Sequence, residues 1–319
     1  MVKLYNKLCK VLRNFVVIGL GISLCSIGHA KLLYYTECTP DDNIKEYYKQ
    51  ILSSDKFQIS EEKLKKIDIY SKKVTENLCI YYIDNQMYNL QDSEMFYLFS
   101  DGKYVYPSVV DLNNNVELKS LMRTKLEKYN MDYSSGISLY NKTSDNNVGI
   151  FLSLECPYCG YMYQFIVNYF DFAENQNIPV NGDIGVFLMS NDTAKTEFFT
   201  KIANADKKLF KEILYDYFSN QLFKNTVEQL KERYSEYLEK VDLSKDVSKE
   251  VKNMFETFNK LNVRGTPATV INGRLIVGAN MGLFSYVLKE EKIADIEEIT
   301  NKMKEYNAKV QAEKNKEKE

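Results

Sequence analysis

The stretch that decides the fold is VGIFLSLECPYCGYMYQFIVNYF, residues 148–170. It opens with an almost continuous apolar run, which is typical of a buried central strand. Pro157 suits the first position of a helix, and the apolar residues after it recur at the spacing of one helix face. These residues are Met162, Phe165, Ile166, Tyr169 and Phe170. The stretch therefore predicts a strand followed by an amphipathic helix, with Cys156 at the helix amino terminus and Cys159 one turn further, facing inward.

Two cysteines at such a junction are suited to thiol–disulfide exchange. The thiolate is the nucleophile in this chemistry, and the unpaired amide hydrogens and dipole of a helix amino terminus stabilise it. We therefore predict that Cys156 is the attacking sulfur and that Cys159 resolves a mixed disulfide. The redox-active disulfide would be formed by these two residues, and we predict no separate cofactor.

Three neighbours are expected to tune the pair. Pro157 makes the turn rigid, and Tyr158 offers a ring and a hydroxyl but no cation that would stabilise a thiolate. Glu155 directly precedes Cys156, and a carboxylate that faced the sulfur would oppose a thiolate. The favoured interpretation is that Glu155 turns to solvent. The absence of a cationic neighbour at Tyr158 favours a less oxidising centre.

The first thirty residues read MVKLYNKLCKVLRNFVVIGLGISLCSIGHA. Basic residues precede an apolar run, and small residues stand at positions 28 and 30, which is typical of a secretory signal peptide cleaved after Ala30. An uncleaved anchor is the alternative, but the run is short for a span of about 20 residues. A lipid anchor at Cys25 is a further alternative, disfavoured by the large Leu24 before it.

The only histidine, His29, lies within this segment. Its removal excludes mechanisms that need an imidazole, including those of serine and cysteine hydrolases. A zinc site would need all four remaining cysteines, but Cys38 and Cys79 have no near neighbours, so we predict no metal site. In an oxidising compartment these two are expected to form a structural disulfide, the alternative being two buried thiols that never meet.

The sequence patterns divide the chain into segments, and we predict an α+β or α/β fold. Basic and acidic residues are interleaved, with a formal net charge of −2, so no nucleic-acid partner is predicted. The predicted segments are a signal peptide (1–30), a small α+β domain (31–115), a linking helix (116–140), a redox domain (141–301) with a helical insertion (192–262), and a charged, frayed tail (302–319).

Gly265, Thr266 and Pro267 stand directly before a predicted hairpin whose strands meet at Asn272-Gly273. An X-Pro bond adopts the cis form at modest cost, and the residues alone leave cis and trans both open.

The order of strand, CPYC, helix, helical insertion, Gly-Thr-Pro and hairpin resembles the thioredoxin superfamily, and more narrowly the periplasmic DsbC/DsbG disulfide isomerases. The resemblance is specific at 148–170 and 263–289. It implies a thioredoxin-like fold in which Thr266 and Pro267 form a cis-proline loop that contacts the active-site sulfurs and pairs with substrate chain.

The resemblance also implies a function. A member of this family would act as a periplasmic disulfide isomerase or reductase on unfolded or misoxidised secreted proteins. It would be a homodimer through its N-terminal domain and would receive electrons from a membrane donor of the DsbD type. Two alternatives stay open: a DsbA-like oxidase served by a DsbB-type partner, which the long insertion favours, and a non-enzymatic envelope chaperone.

Overall fold

The computed structural model describes residues 31–40, 42–53, 59–83, 97–113, 116–140, 145–261 and 265–316. The predicted signal peptide and its cleavage site therefore lie outside the described residues. Within those ranges, no helix combines the length and the apolar character that a membrane crossing requires.

The described elements alternate between short strands and helices. The strands are β1 Lys31–Leu32, β2 Ile69–Thr75, β3 Leu78–Ile83, β4 Tyr97–Ser100, β5 Val105–Tyr106, β6 Val110–Asp111, β7 Val116–Glu117, β8 Glu127–Lys128, β9 Ile137–Tyr140, β10 Asn147–Ser153, β11 Asp183–Met189, β12 Ala268–Ile271 and β13 Arg274–Val277. The helices are α1 Asp42–Ser53, α2 Glu61–Leu64, α3 Leu118–Leu126, α4 Pro157–Asn175, α5 Thr193–Ala205, α6 Lys207–Ser219, α7 Val227–Arg233, α8 Ser235–Leu238, α9 Ser248–Lys260, α10 Met281–Glu290 and α11 Ile296–Lys316.

The N-terminal domain is built on an antiparallel sheet in the order β2-β3-β4-β5. Because successive strand residues point to opposite faces, β3 buries Tyr81 and Ile83 on one side and Ile80 and Tyr82 on the other. The first face packs against α1 and the second against α3. The sheet is therefore covered by a helix on each face.

The predicted disulfide between Cys38 and Cys79 is confirmed, with the two Cα atoms 6.5 Å apart. The segment before Cys38 runs along the outer edge of β2, where Thr36 forms a parallel bridge with Ser71. The amide of Ser71 donates to the carbonyl of Tyr35 at 2.9 Å. This segment therefore covers one edge of the sheet.

The redox domain has a five-stranded sheet in the order β13-β12-β10-β11-β9. Strands β10 and β11 are parallel, and the other pairs are antiparallel. Helices α4, α5, α6 and α10 pack on the face that buries Ile150 and Leu152, and α9 covers the opposite face at Phe151. A parallel pair extended by an antiparallel hairpin and covered on both faces is the thioredoxin arrangement, so the predicted fold is confirmed. The insertion predicted over 192–262 contains α5–α9.

Helix α3 joins the two sheets through buried polar groups. On the N-terminal side, the Glu127 carboxylate accepts hydrogen bonds from the Tyr97 hydroxyl at 2.6 Å and from Arg123 Nε at 3.2 Å. On the other side, Arg274 Nη2 donates to Thr124 Oγ1 at 3.1 Å. Both Glu127 and Arg274 are buried, so α3 is attached to each domain by side chains as well as by its own backbone.

The predicted linking helix over 116–140 is wrong in extent. Helix α3 ends at Leu126, because the chain then turns extended to bury the Glu127 carboxylate against Tyr97. The end of the segment is β9, an edge strand of the redox sheet. Just before it, a Cβ on Gly136 would lie 2.7 Å from the Phe187 ring, so glycine allows β9 to approach that sheet closely. The redox domain thus begins before residue 141.

The tail expected to fray from residue 302 continues α11 through Lys316. The ring of Tyr306 contacts that of Phe172 with centroids 5.9 Å apart, and Lys302 pairs with Glu298 one turn earlier at 2.8 Å. The prediction of a frayed tail is wrong because the high helix propensity of Glu, Lys and Ala outweighs the effect of the high charge density.

Candidate active site

Cys156 is the N-cap residue of α4, and Pro157 occupies the first turn as the sequence predicts. The carbonyl of Cys156 accepts the amide of Gly160 at 3.3 Å, but no side chain caps the helix. The first amides of α4 therefore favour negative charge next to the half-buried Cys156 sulfur.

Cys159 lies one turn further and is fully buried. Its Sγ accepts the amide of Ser153 at 3.2 Å. Burial raises the pKa of the Cys159 thiol to about 12. Both cysteines are free thiols, so the arrangement combines an accessible sulfur with a neutral, enclosed one.

The cis-proline loop faces Cys156. The Thr266-Pro267 peptide bond is cis, as the resemblance implies. The Cys156 thiol donates to the carbonyl of Thr266 at 3.5 Å. A Cβ on Gly265 would meet open space, so the chain is not crowded at this part of the loop. Cys156 and the Gly265–Pro267 loop, 110 residues apart in the chain, form one site.

The tuning residues have different environments. Tyr158 is 65% exposed, and its ring packs edge-on against that of Tyr161, which is also exposed. The expectation that Glu155 turns to solvent is wrong. Its half-buried carboxylate accepts hydrogen bonds from the hydroxyls of Ser153 and Ser190, which replace water as donors.

This carboxylate is held on the β11 side of β10, since Ser190 directly follows β11. The Cys156 thiol faces Thr266, on the β12 side. Glu155 therefore ties two loops together at the end of the parallel strands instead of facing the Cys156 sulfur.

Two residues of the insertion belong to the site and were not predicted to do so. The buried Tyr217 hydroxyl donates to the carbonyl of Leu154 at 2.9 Å, two residues before Cys156. Phe218 packs against Gly160, directly after Cys159. Phe218 lies in the predicted helical insertion, but nothing in the sequence indicates which surface it meets.

A metal centre has no support in the part of the chain that the structure describes. There, no group of three or more His, Cys, Asp or Glu side chains could hold a metal ion.

No protein-family profile matches the chain, and no characterised protein matches it by sequence. Several solved structures are similar to part of it. ScsC from Proteus mirabilis, in a compact conformation, is 20% identical over 51% of this chain and 76% of that chain, with a TM-score of 0.41. BdbD from Bacillus subtilis, in its oxidised form, is 14% identical over 50% of this chain and 95% of that chain, with a TM-score of 0.38.

A third similar structure is the thiol-disulfide exchange protein alpha-DsbA2 from Wolbachia pipientis. It is 15% identical over 50% of this chain and 84% of that chain, with a TM-score of 0.33. Because these identities and scores are low, the similarities carry no argument about function, which rests on the geometry of the site.

Proposed function

We propose that the protein is a thiol–disulfide oxidoreductase that acts through Cys156 and Cys159. One observation carries the proposal: the half-buried Cys156 sulfur, at a helix amino terminus, lies 3.5 Å from the Thr266 carbonyl beside a cis proline. An accessible thiol in this position can attack a substrate disulfide, and it lies beside backbone to which an extended substrate can pair.

In the reducing direction, the Cys156 thiolate attacks one sulfur of a substrate disulfide, and the other substrate sulfur leaves as a thiolate. Cys159 then loses its proton and attacks the Cys156 sulfur of the mixed disulfide. The second substrate thiolate leaves, and the Cys156–Cys159 pair has supplied two electrons. In isomerisation, a substrate thiolate attacks the substrate sulfur of the mixed disulfide instead. A new substrate disulfide forms, Cys156 leaves as a thiolate, and no net electrons are transferred.

Within this chemistry we favour isomerase or reductase. The raised pKa of Cys159 supports the isomerase in particular, because a resolving thiol that holds its proton prolongs the mixed disulfide. A longer-lived mixed disulfide gives other substrate thiols time to attack. Tyr158, which offers no cation beside the sulfur, supports the same direction.

A DsbA-like thiol oxidase is the second candidate, in which the Cys156–Cys159 disulfide accepts two electrons from a substrate dithiol. It is favoured by the helical insertion, which contacts the redox helix through Phe218 and Gly160. We propose the periplasm as the setting and unfolded or misoxidised secreted proteins as substrates. A homodimer with a DsbD-type electron donor accompanies the isomerase, and a DsbB-type partner accompanies the oxidase.

The test uses the chain from Lys31 onward. Its mass in solution is measured, and it is incubated with a scrambled-disulfide substrate and a catalytic amount of reductant. We expect a dimer that restores native disulfides, and we expect Cys156→Ala to abolish this activity. A monomer that forms disulfides but cannot reshuffle them would support the oxidase.

The variant Cys159→Ala separates exchange from binding. We expect it to accumulate mixed disulfides with substrate through Cys156, which mass spectrometry detects. If Cys156→Ala protects unfolded chains from aggregation as well as the parent does, and no mixed disulfide accumulates in Cys159→Ala, the protein is a chaperone and not an oxidoreductase.

A further inference from the structure

A cavity of about 270 Å³ lies between the two domains. Tyr97 and Pro107 of the N-terminal domain line one side, and the first turns of α3 line another. The remaining wall is the edge strand β13 with Leu283 of α10. At ~30 Å³ per water molecule, this space holds an amino-acid side chain of ordinary size.

The cavity is next to the candidate active site. Val277, one of its lining residues, pairs with Ala268 directly after the cis proline. The following residue, Gly278, donates its amide to the carbonyl of Pro267 at 2.8 Å. Neighbouring strands are about 5 Å apart, so the cavity begins about one strand spacing beyond the loop that faces Cys156.

Three charged side chains line the cavity, and two of them are already engaged. Glu117 is the N-cap of α3, and its carboxylate accepts the amides of Lys119 and Ser120, so its charge is met by the helix amino terminus. Arg123 is bound to Glu127 at 3.2 Å.

The third charge is Lys119, which is half-buried. Across the described ranges, the ammonium group of Lys119 has no ion-pair partner within 4.0 Å, unlike that of its neighbour Lys125, which pairs with Glu290 at 2.9 Å. Among the described residues, Lys119 is therefore the charged lining group without a partner, and the cavity wall formed by β13 and Leu283 is apolar.

We infer that this cavity is a specificity site that receives an acidic side chain, Asp or Glu, of the substrate polypeptide near the cysteine bound to Cys156. The inference rests on the proposed thiol–disulfide exchange and adds a substrate preference to it. An extended chain advances about 3.3 Å per residue, so a side chain two or three positions from the bound cysteine reaches the cavity. Lys119 takes no part in the bond exchange; it selects the sequence around the target cysteine.

The experiment measures exchange at Cys156 in a Cys159→Ala chain beginning at Lys31. Cys156 is first converted to its mixed disulfide with thionitrobenzoate. A peptide thiolate attacks the Cys156 sulfur, and the coloured thionitrobenzoate leaves, so absorbance gives the rate. Short peptides carry a central cysteine with Asp, Asn or Lys two residues to each side. Dithiothreitol serves as an uncharged thiol that does not reach the cavity.

The substrate preference is the exchange rate of the Asp peptide divided by that of the Lys peptide. This ratio is compared between protein variants, so that differences in the peptides' own thiol reactivity cancel. Changing Lys119→Glu is expected to lower this ratio about tenfold, and Lys119→Gln about threefold, as for close charge pairs that steer association. The matched control, Lys208→Glu on the exposed surface of α6, is expected to leave the ratio unchanged. The dithiothreitol rate is expected to be equal in all variants.

An equal fall of the ratio in Lys208→Glu would overturn the inference, because net charge alone would then explain it. An unchanged ratio of the Asp and Lys peptide rates in Lys119→Glu would overturn it as well. If Cys156 forms no thionitrobenzoate adduct, or no thiol displaces it, the proposed function itself is wrong and the specificity site falls with it.

Discussion

The ring of Phe218, in the helical insertion, lies against the α-carbon of Gly160, in the redox helix. A Cβ on Gly160 would stand 3.1 Å from Phe218 Cδ1 and 3.2 Å from its Cβ. The insertion and the helix that carries both cysteines therefore approach each other at a position where any larger residue must displace the ring.

We expect Gly160→Ala to lower the free energy of unfolding by about 1 kcal/mol. The gain in helix propensity, about 1 kcal/mol, is outweighed by an overpacking cost of about 1–3 kcal/mol. In a Phe218→Ala background the Cδ1 and Cγ contacts are removed and only the Cβ contact at 3.2 Å stays, so the same change is expected to cost less or to be neutral. Urea unfolding of the parent, the two single variants and the double variant measures the coupling between positions 160 and 218. Equal effects in both backgrounds would show that Phe218 does not restrict this position.

A second contact between the insertion and the site can be tested with Tyr217→Phe. This change leaves the buried carbonyl of Leu154 without its donor, and we expect a loss of about 1–2 kcal/mol in unfolding free energy. The control is Tyr237→Phe, at a side chain 60% exposed, for which a change under about 0.5 kcal/mol is expected. Chemical denaturation compares the two variants, and similar losses would contradict the role of the hydrogen bond.

Arg274 is a buried cation with two carboxylate partners, Glu290 at 2.7 Å and Glu291 at 2.8 Å. Arg274→Gln would leave Glu291 without a cation, while Glu290 keeps Lys125 at 2.9 Å, and we expect a loss of about 1.5–3 kcal/mol from the missing charged hydrogen bonds. The surface pair of Arg233 with Asp216 is more open to solvent, with side chains 43% and 38% exposed, so Arg233→Gln is expected to cost no more than about 1 kcal/mol. Urea titration at neutral pH separates the two, and an equal cost would contradict the buried pairing.

The disulfide of the N-terminal domain joins residues separated by 41 positions. In the loop-entropy account a link of this length stabilises by about 4 kcal/mol. We expect the double variant Cys38→Ala with Cys79→Ala to lose that amount of unfolding free energy and therefore to unfold at a lower temperature. Its exchange rate at Cys156 is expected to change little. Thermal unfolding and the thionitrobenzoate assay provide the two readouts. A large loss of exchange at temperatures where the variant is folded would contradict this separation.

Burial of Cys159 predicts a dependence of stability on pH. An unfolded thiol titrates near ~8.5, whereas the pKa of Cys159 in the folded state is raised to about 12. The folded state therefore holds this proton more tightly, so its stabilising contribution is complete below about pH 8.5 and is lost as the pH rises toward 12. Between pH 8 and pH 10, the reduced protein should lose about 2 kcal/mol more unfolding free energy than the Cys159→Ala variant. If the unfolding free energies of the two proteins fall in parallel with pH, the raised pKa of Cys159 would be contradicted.

Local sequence signals predicted the elements whose geometry is determined within a few residues. Asn272 and Gly273 both have positive φ values, which is why they join β12 and β13 in a two-residue turn. Likewise, an apolar run followed by Cys156 and Pro157 specified the strand and the start of α4. These features needed no information from distant parts of the chain.

Distant contacts explain what could not be predicted. Glu155 has one local partner, Ser153, but the contact that draws its carboxylate toward β11 comes from Ser190, which lies 35 residues later and beyond the reach of local patterns. The end of α3 depends on the burial of Glu127 against Tyr97, in a different sheet. Charged residues gave no sign of such burial, since acidic side chains are seldom enclosed unless a partner is present.

The attachment of α3 to both domains makes it a spacer of defined length and phase. Each residue of a helix contributes about 100° of rotation and 1.5 Å of rise. One residue inserted between Thr124 and Lys125 would therefore turn Glu127, which contacts Tyr97, about a quarter of a turn away from Thr124, which contacts Arg274. The orientation of the N-terminal sheet toward the cysteine pair is thus encoded in the residue count of a single helix.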